Sequence, residues 1–213
     1  MTLLRCLSGS AVRRALFAAL ACSLVGCGFT RPATVKQTYL LQAQPPAQAT
    51  TMPWPATLKI GTVDVAAPFR GKVFVYRQTD LKYEADFYNE FLVSPSAMLT
   101  EGAGAWLAAA KVFQDVLPAG ANADGDYVLE GFVSELYGDD RDASQSTAVL
   151  TAKFFLIDNR TLTGVPVWQT ELKQRIALPN RSADALVAGL NAAWTAMLGD
   201  LARELAAAPL PAK

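Results

Sequence analysis

The chain has three thiols, Cys6, Cys22 and Cys27, and no histidine. Without an imidazole, Ser-His-Asp and Cys-His catalysis, His-ligated zinc and the commonest general acid–base are excluded. The chemistry left open is modification at a cysteine sulfur, carboxylate clusters and Arg-aromatic surfaces. Tyr76-Arg77 could form a recognition surface, because arginine and aromatic side chains dominate binding hot spots. The plainer reading is a strand pair with the arginine solvated at an edge. Asp139, Asp140 and Asp142 crowd one turn and could offer oxygens to calcium. No EF-hand-like spacing accompanies them, which favours a solvated hairpin tip. Phe87, Tyr88 and Phe91 form an aromatic patch for lipid, a partner or the core. Serines and lysines are scattered and no G-x-S-x-G elbow is present, which leaves only a Ser–Lys hydrolase formally open.

Cys27 has the most informative surroundings. Arg5, Arg13 and Arg14 give a basic start with no acidic residue, and Ala15–Val25 is an eleven-residue apolar run. A membrane-spanning helix needs about 20 apolar residues, so this run suits the core of an export signal. Leu24-Val25-Gly26-Cys27 follows and resembles the bacterial lipobox, in which the thiol takes up diacylglycerol before cleavage. On this reading residues 1–26 are a lipoprotein signal peptide, Cys27 becomes the lipidated first residue, and 27–37 is a tether. The competing reading is an ordinary secretory signal that happens to contain a cysteine. Cys6 and Cys22 would leave with the leader and Cys27 would be alkylated, so the fold contains no disulfide. A bacterial lipoprotein's two or three acyl chains hold stably, where one holds only reversibly. Gly28 follows Cys27, whereas aspartate there is the usual inner-membrane retention signal. This favours the periplasmic face of the outer membrane. We expect no metal and no cofactor beyond the covalent lipid on Cys27.

The whole chain balances 19 basic against 19 acidic side chains, and removal of the leader's arginines leaves a slightly acidic remainder. No basic run points to nucleic acid. Thr38–Leu41 reads as a brief strand, and residues 42–55, rich in Pro, Ala and Gln, as an extended loop without packed structure. Leu58–Val65 reads as a buried strand with a possible bulge at Gly61. Residues 67–71 turn the chain, and Val73–Gln78 with Leu81–Ala85 form a hairpin. Ser94-Pro95 predicts a helix start, with Ser94 capping a free amide, and the helix should run to about Ala110 with Leu99, Trp106 and Leu107 buried. Three longer strands are expected at Tyr127–Tyr137, Thr147–Ile157 and Val167–Leu178. The last alternates apolar Trp168, Leu172, Ile176 and Leu178 with polar Gln169, Glu171, Lys173 and Arg175. A final helix from about Ser182 carries a stripe of Leu186/Val187, Leu190, Trp194, Met197/Leu198, Leu201 and Leu205. The sum is one α+β domain at residues 38–207, a mixed, largely antiparallel sheet packed by two helices.

In order, the lipobox, Tyr39-Leu40-Leu41, Val63-Asp64-Val65 before a proline turn, Val75-Tyr76-Arg77, and Phe91-Leu92-Val93-Ser94-Pro95 leading to Trp106-Leu107 resemble the PqiC-like auxiliary lipoproteins of ABC-type transport systems. The likeness spans nearly all of the chain after Cys27. One departure is Phe69-Arg70-Gly71, where the family more often has a Tyr-Leu pair. The resemblance implies a fold similar to the amino-terminal domain of TolB and a non-enzymatic role. It also implies partners: an MCE-domain periplasmic protein with an ABC permease and its ATPase, which move lipid between membranes. The expected partner-binding residues are then Tyr76 and Arg77, and a homo-oligomer is left open. The alternative is a structural lipoprotein that supports outer-membrane assembly.

Overall fold

The computed structural model describes residues 35–49, 53–161 and 164–210. The leader, Cys27 and nearly all of the tether lie outside the described residues. The elements, all within the unit that begins at Lys36, are β1 (Gln37–Tyr39), β2 (Trp54–Val65), a 3-10 turn (Ala67–Phe69), β3 (Val73–Arg77), β4 (Tyr83–Phe91), α1 (Pro95–Ala110), β5 (Phe113–Leu117), β6 (Tyr127–Asp139), β7 (Thr147–Asp158), β8 (Pro166–Ala177) and α2 (Ala183–Ala206).

Alternating apolar positions lay β6, β7 and β8 side by side as an antiparallel meander, with β6 as the spine. The other edge of β6 is shared: β2 runs parallel to its first half, and β3 meets it in parallel at Gly138 and Asp139. Outward from these, β5 pairs with β2, β4 pairs antiparallel with β3, and β1 lies parallel to β4. The result is one mixed sheet whose long pairings are antiparallel, with α1 in the crossover between parallel β2 and β5. Three details depart from the sequence reading. β2 begins at Trp54, four residues before Leu58. β4 runs past Ala85 to Phe91. β5 is a strand the periodicity did not announce, because Gln114 and Asp115 break its short apolar run.

The bulge expected at Gly61 is present, and its cause is visible. Ala56, Leu58 and Ile60 face inward, then the parity flips to Val63 and Val65, and the register with β6 shifts between Ile60 and Val63. A Cβ at Gly61 would stand 2.8 Å from Glu130 Cγ and 3.1 Å from the Leu129 carbonyl oxygen. The bulge skips Gly61 and Thr62, and pairing resumes with Val63 opposite Gly131. On the other edge of β2, where β5 has ended at the Lys59–Leu117 pair, α1 supplies the partners. Ser96 Oγ donates to the Val63 carbonyl at 2.7 Å, and the Val63 amide donates to Thr100 Oγ1 at 2.9 Å. Ser94 stands at the N-cap with Pro95 after it, but its side chain makes no cap bond. The useful hydroxyls are two and six residues further on.

Both helices pack on one face of the sheet. Ser182 caps α2 by accepting from the Ala185 amide at 3.1 Å, and Asp184 sits in the first turn. Every residue of the expected α2 stripe is buried. By length and composition α2 could cross a membrane, yet that stripe packs on β7 and β8, as in the core helix of a globular domain. Trp194 stacks with Phe154 of β7, and glycine at 102 in α1 leaves room for its indole edge. At Gly189 a side chain would strike Leu178 and come within 2.9 Å of Ala148 Cβ, so glycine lets α2 settle onto the sheet.

The start of the expected loop at 42–55 is a second correction, since residues 42–46, with Leu41 before them, are not unpacked. Leu41 is buried, and the segment forms a strap across α1 and α2. The amides of Leu41, Gln42 and Gln44 donate to Met98 Sδ, Asn191 Oδ1 and Thr195 Oγ1, and Trp106 Nε1 donates to the Gln44 carbonyl at 2.7 Å. Side chains of the two helices thus replace the ladder that the strap lacks.

Candidate functional site

Tyr76 and Arg77 end β3, and strand alternation sends them to opposite faces. Tyr76 turns to the helix side, where Gly138 makes room for it: a Cβ there would lie 2.9 Å from the tyrosine ring. The ring is half-buried, and its hydroxyl lies 3.4 Å from Asp86 Oδ2. Burial first, and the Asp86 carboxylate second, push its phenol above the ordinary range and keep it neutral. Arg77 turns to the opposite face and closes over its own hairpin. Its Nε and Nη2 donate to the carbonyls of Thr79 and Asp80 at 3.3 and 3.1 Å, and Nη1 lies 3.5 Å from the Tyr137 hydroxyl. The guanidinium also stands 5.6 Å from the centre of the Tyr83 ring. The Tyr137 hydroxyl raises its pKa further. Arg77 is therefore a turn-closing residue as well as a surface one.

Among the described residues, the face that Arg77 joins carries no α-helix. Phe69, Tyr83 and Tyr137 form a ring cluster at its Arg77 end, with centroid separations of 5.5 Å for Phe69–Tyr137 and 5.7 Å for Tyr83–Tyr137. Beyond it, alternate residues of β6, β7 and β8 present Glu130, Phe132, Lys153, Phe155, Glu171 and Lys173. Phe132 is exposed, Lys153 lies over the Phe155 ring at 5.1 Å, and Lys173 pairs with Glu171 at 2.8 Å. This broad surface mixes aromatic rings with both signs of charge. The sequence reading found only its Arg77 corner, because β8's alternation looked like a solvated face.

The carboxylates at the β6–β7 turn are engaged mainly by arginines and by the turn itself. Asp139 is buried, and its two oxygens take the guanidinium of Arg141 at 2.9 and 2.8 Å and that of Arg175 at 2.9 Å. Arg141, helped by Arg175 and opposed by burial, holds this carboxyl well below the usual range. Asp140 accepts from Ser146 Oγ, and Asp142 caps the turn through the Ser144 amide at 2.8 Å. Both oxygens of Asp139 and one each of Asp140 and Asp142 are thus taken up by neighbouring side chains and amides. Among the described residues no cluster of three or more metal-ligating side chains occurs. The aromatic patch divides: Phe91 packs edge-on to Phe74 at 4.6 Å in the core, whereas Phe87 and Tyr88 project into solvent. The sequence reading missed a groove of about 690 Å³ between the strap and α1, lined by Leu40, Leu41, Met98, Gly102 and Trp106 among others. A Pro- and Gln-rich composition gave no sign of it.

A family model described as the ABC-type transport auxiliary lipoprotein component matches residues 39–202. No curated protein sequence matches the chain. Among solved structures, a Xanthomonas campestris protein of family DUF330 aligns at a TM-score of 0.68 with 14% identity, covering 81% of this chain and 96% of that one. An uncharacterized protein aligns at 0.63 with 17% identity, covering 80% and 99%. At such identities the likeness is one of fold, and both structures share this α+β arrangement. The family match runs from β1 to the last turns of α2, across the sheet, both helices and the Arg77 face. The chain belongs to the ABC-type transport auxiliary lipoprotein family.

Proposed function

We propose that this protein is the lipid-anchored, non-catalytic docking subunit of an ABC transport system that moves lipid across the periplasm. The family match over residues 39–202 carries the reading. Cys27 is the lipidated residue, and Gly28 after it favours the periplasmic face of the outer membrane. The partners are an MCE-domain periplasmic protein and, through it, the ABC permease and ATPase. The docking surface is the helix-free face, with Arg77 and Tyr83 at one end; Tyr76 supports it from the helix side.

Two measurements test this. Cys27→Ser should accumulate as uncleaved precursor and take up no labelled palmitate; maturation to the usual size with palmitate incorporation would remove Cys27 from the role. Affinity purification of the intact lipoprotein from detergent-solubilised envelopes should recover the MCE protein. Arg77→Glu should weaken that recovery, with the melting temperature followed in parallel because the guanidinium also closes the β3–β4 turn. Absence of any MCE protein from the purification, together with an undisturbed outer-membrane barrier in a deletion strain, would overturn the transport reading.

A further inference from the structure

Phe87 and Tyr88 are 66% and 58% exposed, yet they are held in place. Asp86 Oδ1 accepts the amides of Tyr88 and Asn89 at 2.7 and 3.0 Å, and Asp86 Oδ2 takes Asn89 Nδ2 at 3.0 Å. This turn lifts the segment out of the β3 ladder, whose register jumps from Val75↔Ala85 to Val73↔Glu90. The two rings meet edge to face, with centroids 5.2 Å apart. An aromatic pair that is exposed and also fixed has paid its ordering cost before any contact is made, which favours association.

The position of the pair says what it meets. β1 runs parallel to β4 with Gln37 opposite Asn89, and Lys36 Nζ pairs with Glu90 at 2.7 Å. The domain's first residues therefore lie beside the carboxyl-terminal half of β4, next to Tyr88. Cys27 precedes Lys36 by nine residues in the sequence. A chain of that length spans about 30 Å at full extension, so this end of the sheet has the shortest leash to the bilayer. Tyrosine and other amphipathic rings favour the headgroup region of a membrane. Lys36, Asp86 and Glu90 surround the pair with mixed charge, so attraction to anionic lipid is not its basis.

We propose that the Phe87–Tyr88 projection is a membrane-surface contact that seats both rings among the headgroups of the leaflet holding the Cys27 lipid and so orients the domain. The proposal rests on the lipid-anchor reading. Because Cys27 is alkylated in the mature lipoprotein, a single introduced cysteine can carry a fluorophore. Phe87→Cys and Tyr88→Cys would be labelled separately, with Ala143→Cys in the β6–β7 turn as the control. That turn lies at the opposite end of β4, where Arg141 pairs with Asp80 of the β3–β4 turn. The labelled full-length mature proteins would be reconstituted in phosphatidylethanolamine–phosphatidylcholine vesicles containing headgroup-nitroxide lipid. The labels at 87 and 88 should be quenched several-fold more than the label at 143, with blue-shifted emission and no loss of quenching at high salt. Equal quenching at 87, 88 and 143 in protein that floats with the vesicles would overturn the contact and leave the anchor intact. Shielding of 87 and 88 from aqueous iodide without lipid quenching would overturn it in favour of a protein cover, such as a second copy. Failure of the protein to float, with no palmitate incorporated, would overturn the anchor reading and this inference with it.

Discussion

Asp139 and Asp158 end β6 and β7 and use the same local device. Each accepts the amide of the residue two positions on, at 3.3 and 3.0 Å, and the guanidinium Nε of that residue, Arg141 or Arg160, at 2.9 Å. A buried carboxylate on such a fork is stable only while ionised. The Asp139 carboxyl is held below its ordinary value of 3.8. Its stabilising contribution is therefore fully present above that value and is lost as pH falls through the lower folded value. Asp139→Asn should lower the unfolding free energy by about 2 kcal/mol at neutral pH, the scale of hydrogen bonds to a charged group. The deficit should shrink below about pH 4, because the unfolded wild-type chain takes up the proton there while the folded Asp139 carboxyl stays ionised. Urea denaturation at neutral and acid pH checks both statements, and a deficit that stays constant with pH would show that the ion pairs are not its source.

Trp194 shows what an element's interior tolerates. It is fully buried on α2 between Phe154 and α1, and among the described residues its indole N–H has no acceptor. Trp194→Ala should cost about 3–5 kcal/mol by the cavity it leaves. Trp194→Phe should cost markedly less, because no hydrogen bond is lost with the indole. Similar losses for both variants in guanidinium denaturation would mean that the N–H is engaged after all. The α2 stripe was legible in the sequence because a period of three and four residues from Leu186 to Leu205 has one physical cause, burial of one face. The strap was not legible. Its backbone is satisfied by Asn191 and Thr195, about 150 residues away, and no local pattern encodes a partner at that separation. The continuation of β4 beyond Ala85 was hidden likewise, because the Asp86 turn breaks the alternation that marks a strand.

For the whole molecule, the sheet-and-helix layout and the Arg77 corner of the open face could be read in advance, since alternation and residue type are local properties. The rest of that face could not. It exists only once β6, β7 and β8 align Glu130 with Phe155 and Lys153 with Glu171 across strands. Removal of the strap's helix partners by the double change Asn191→Ala, Thr195→Ala should lower global stability by about 2 kcal/mol, roughly 1 kcal/mol per bond lost. Hydrogen exchange at the Gln42 and Gln44 amides should quicken far more than exchange within α2. Uniform quickening throughout the domain would show that the strap is part of the core rather than fastened onto it.

The strap also has a mechanical meaning. A lipoprotein tethered at one end feels any tug from its partners where the tether joins the fold, and here that point is Lys36, at the head of β1. Since β1 lies alongside β4, a pull along its axis strains its bonds together in shear rather than unzipping them one by one. Behind β1 the strap crosses both helices and is pinned from each, so a tension that dislodged β1 would next be spread over α1 and α2 before it reached β2 at Trp54. On the proposed anchoring at Cys27, the domain is moored through a short line with a second fastening inboard, and the broad sheet stays unloaded while the mooring holds.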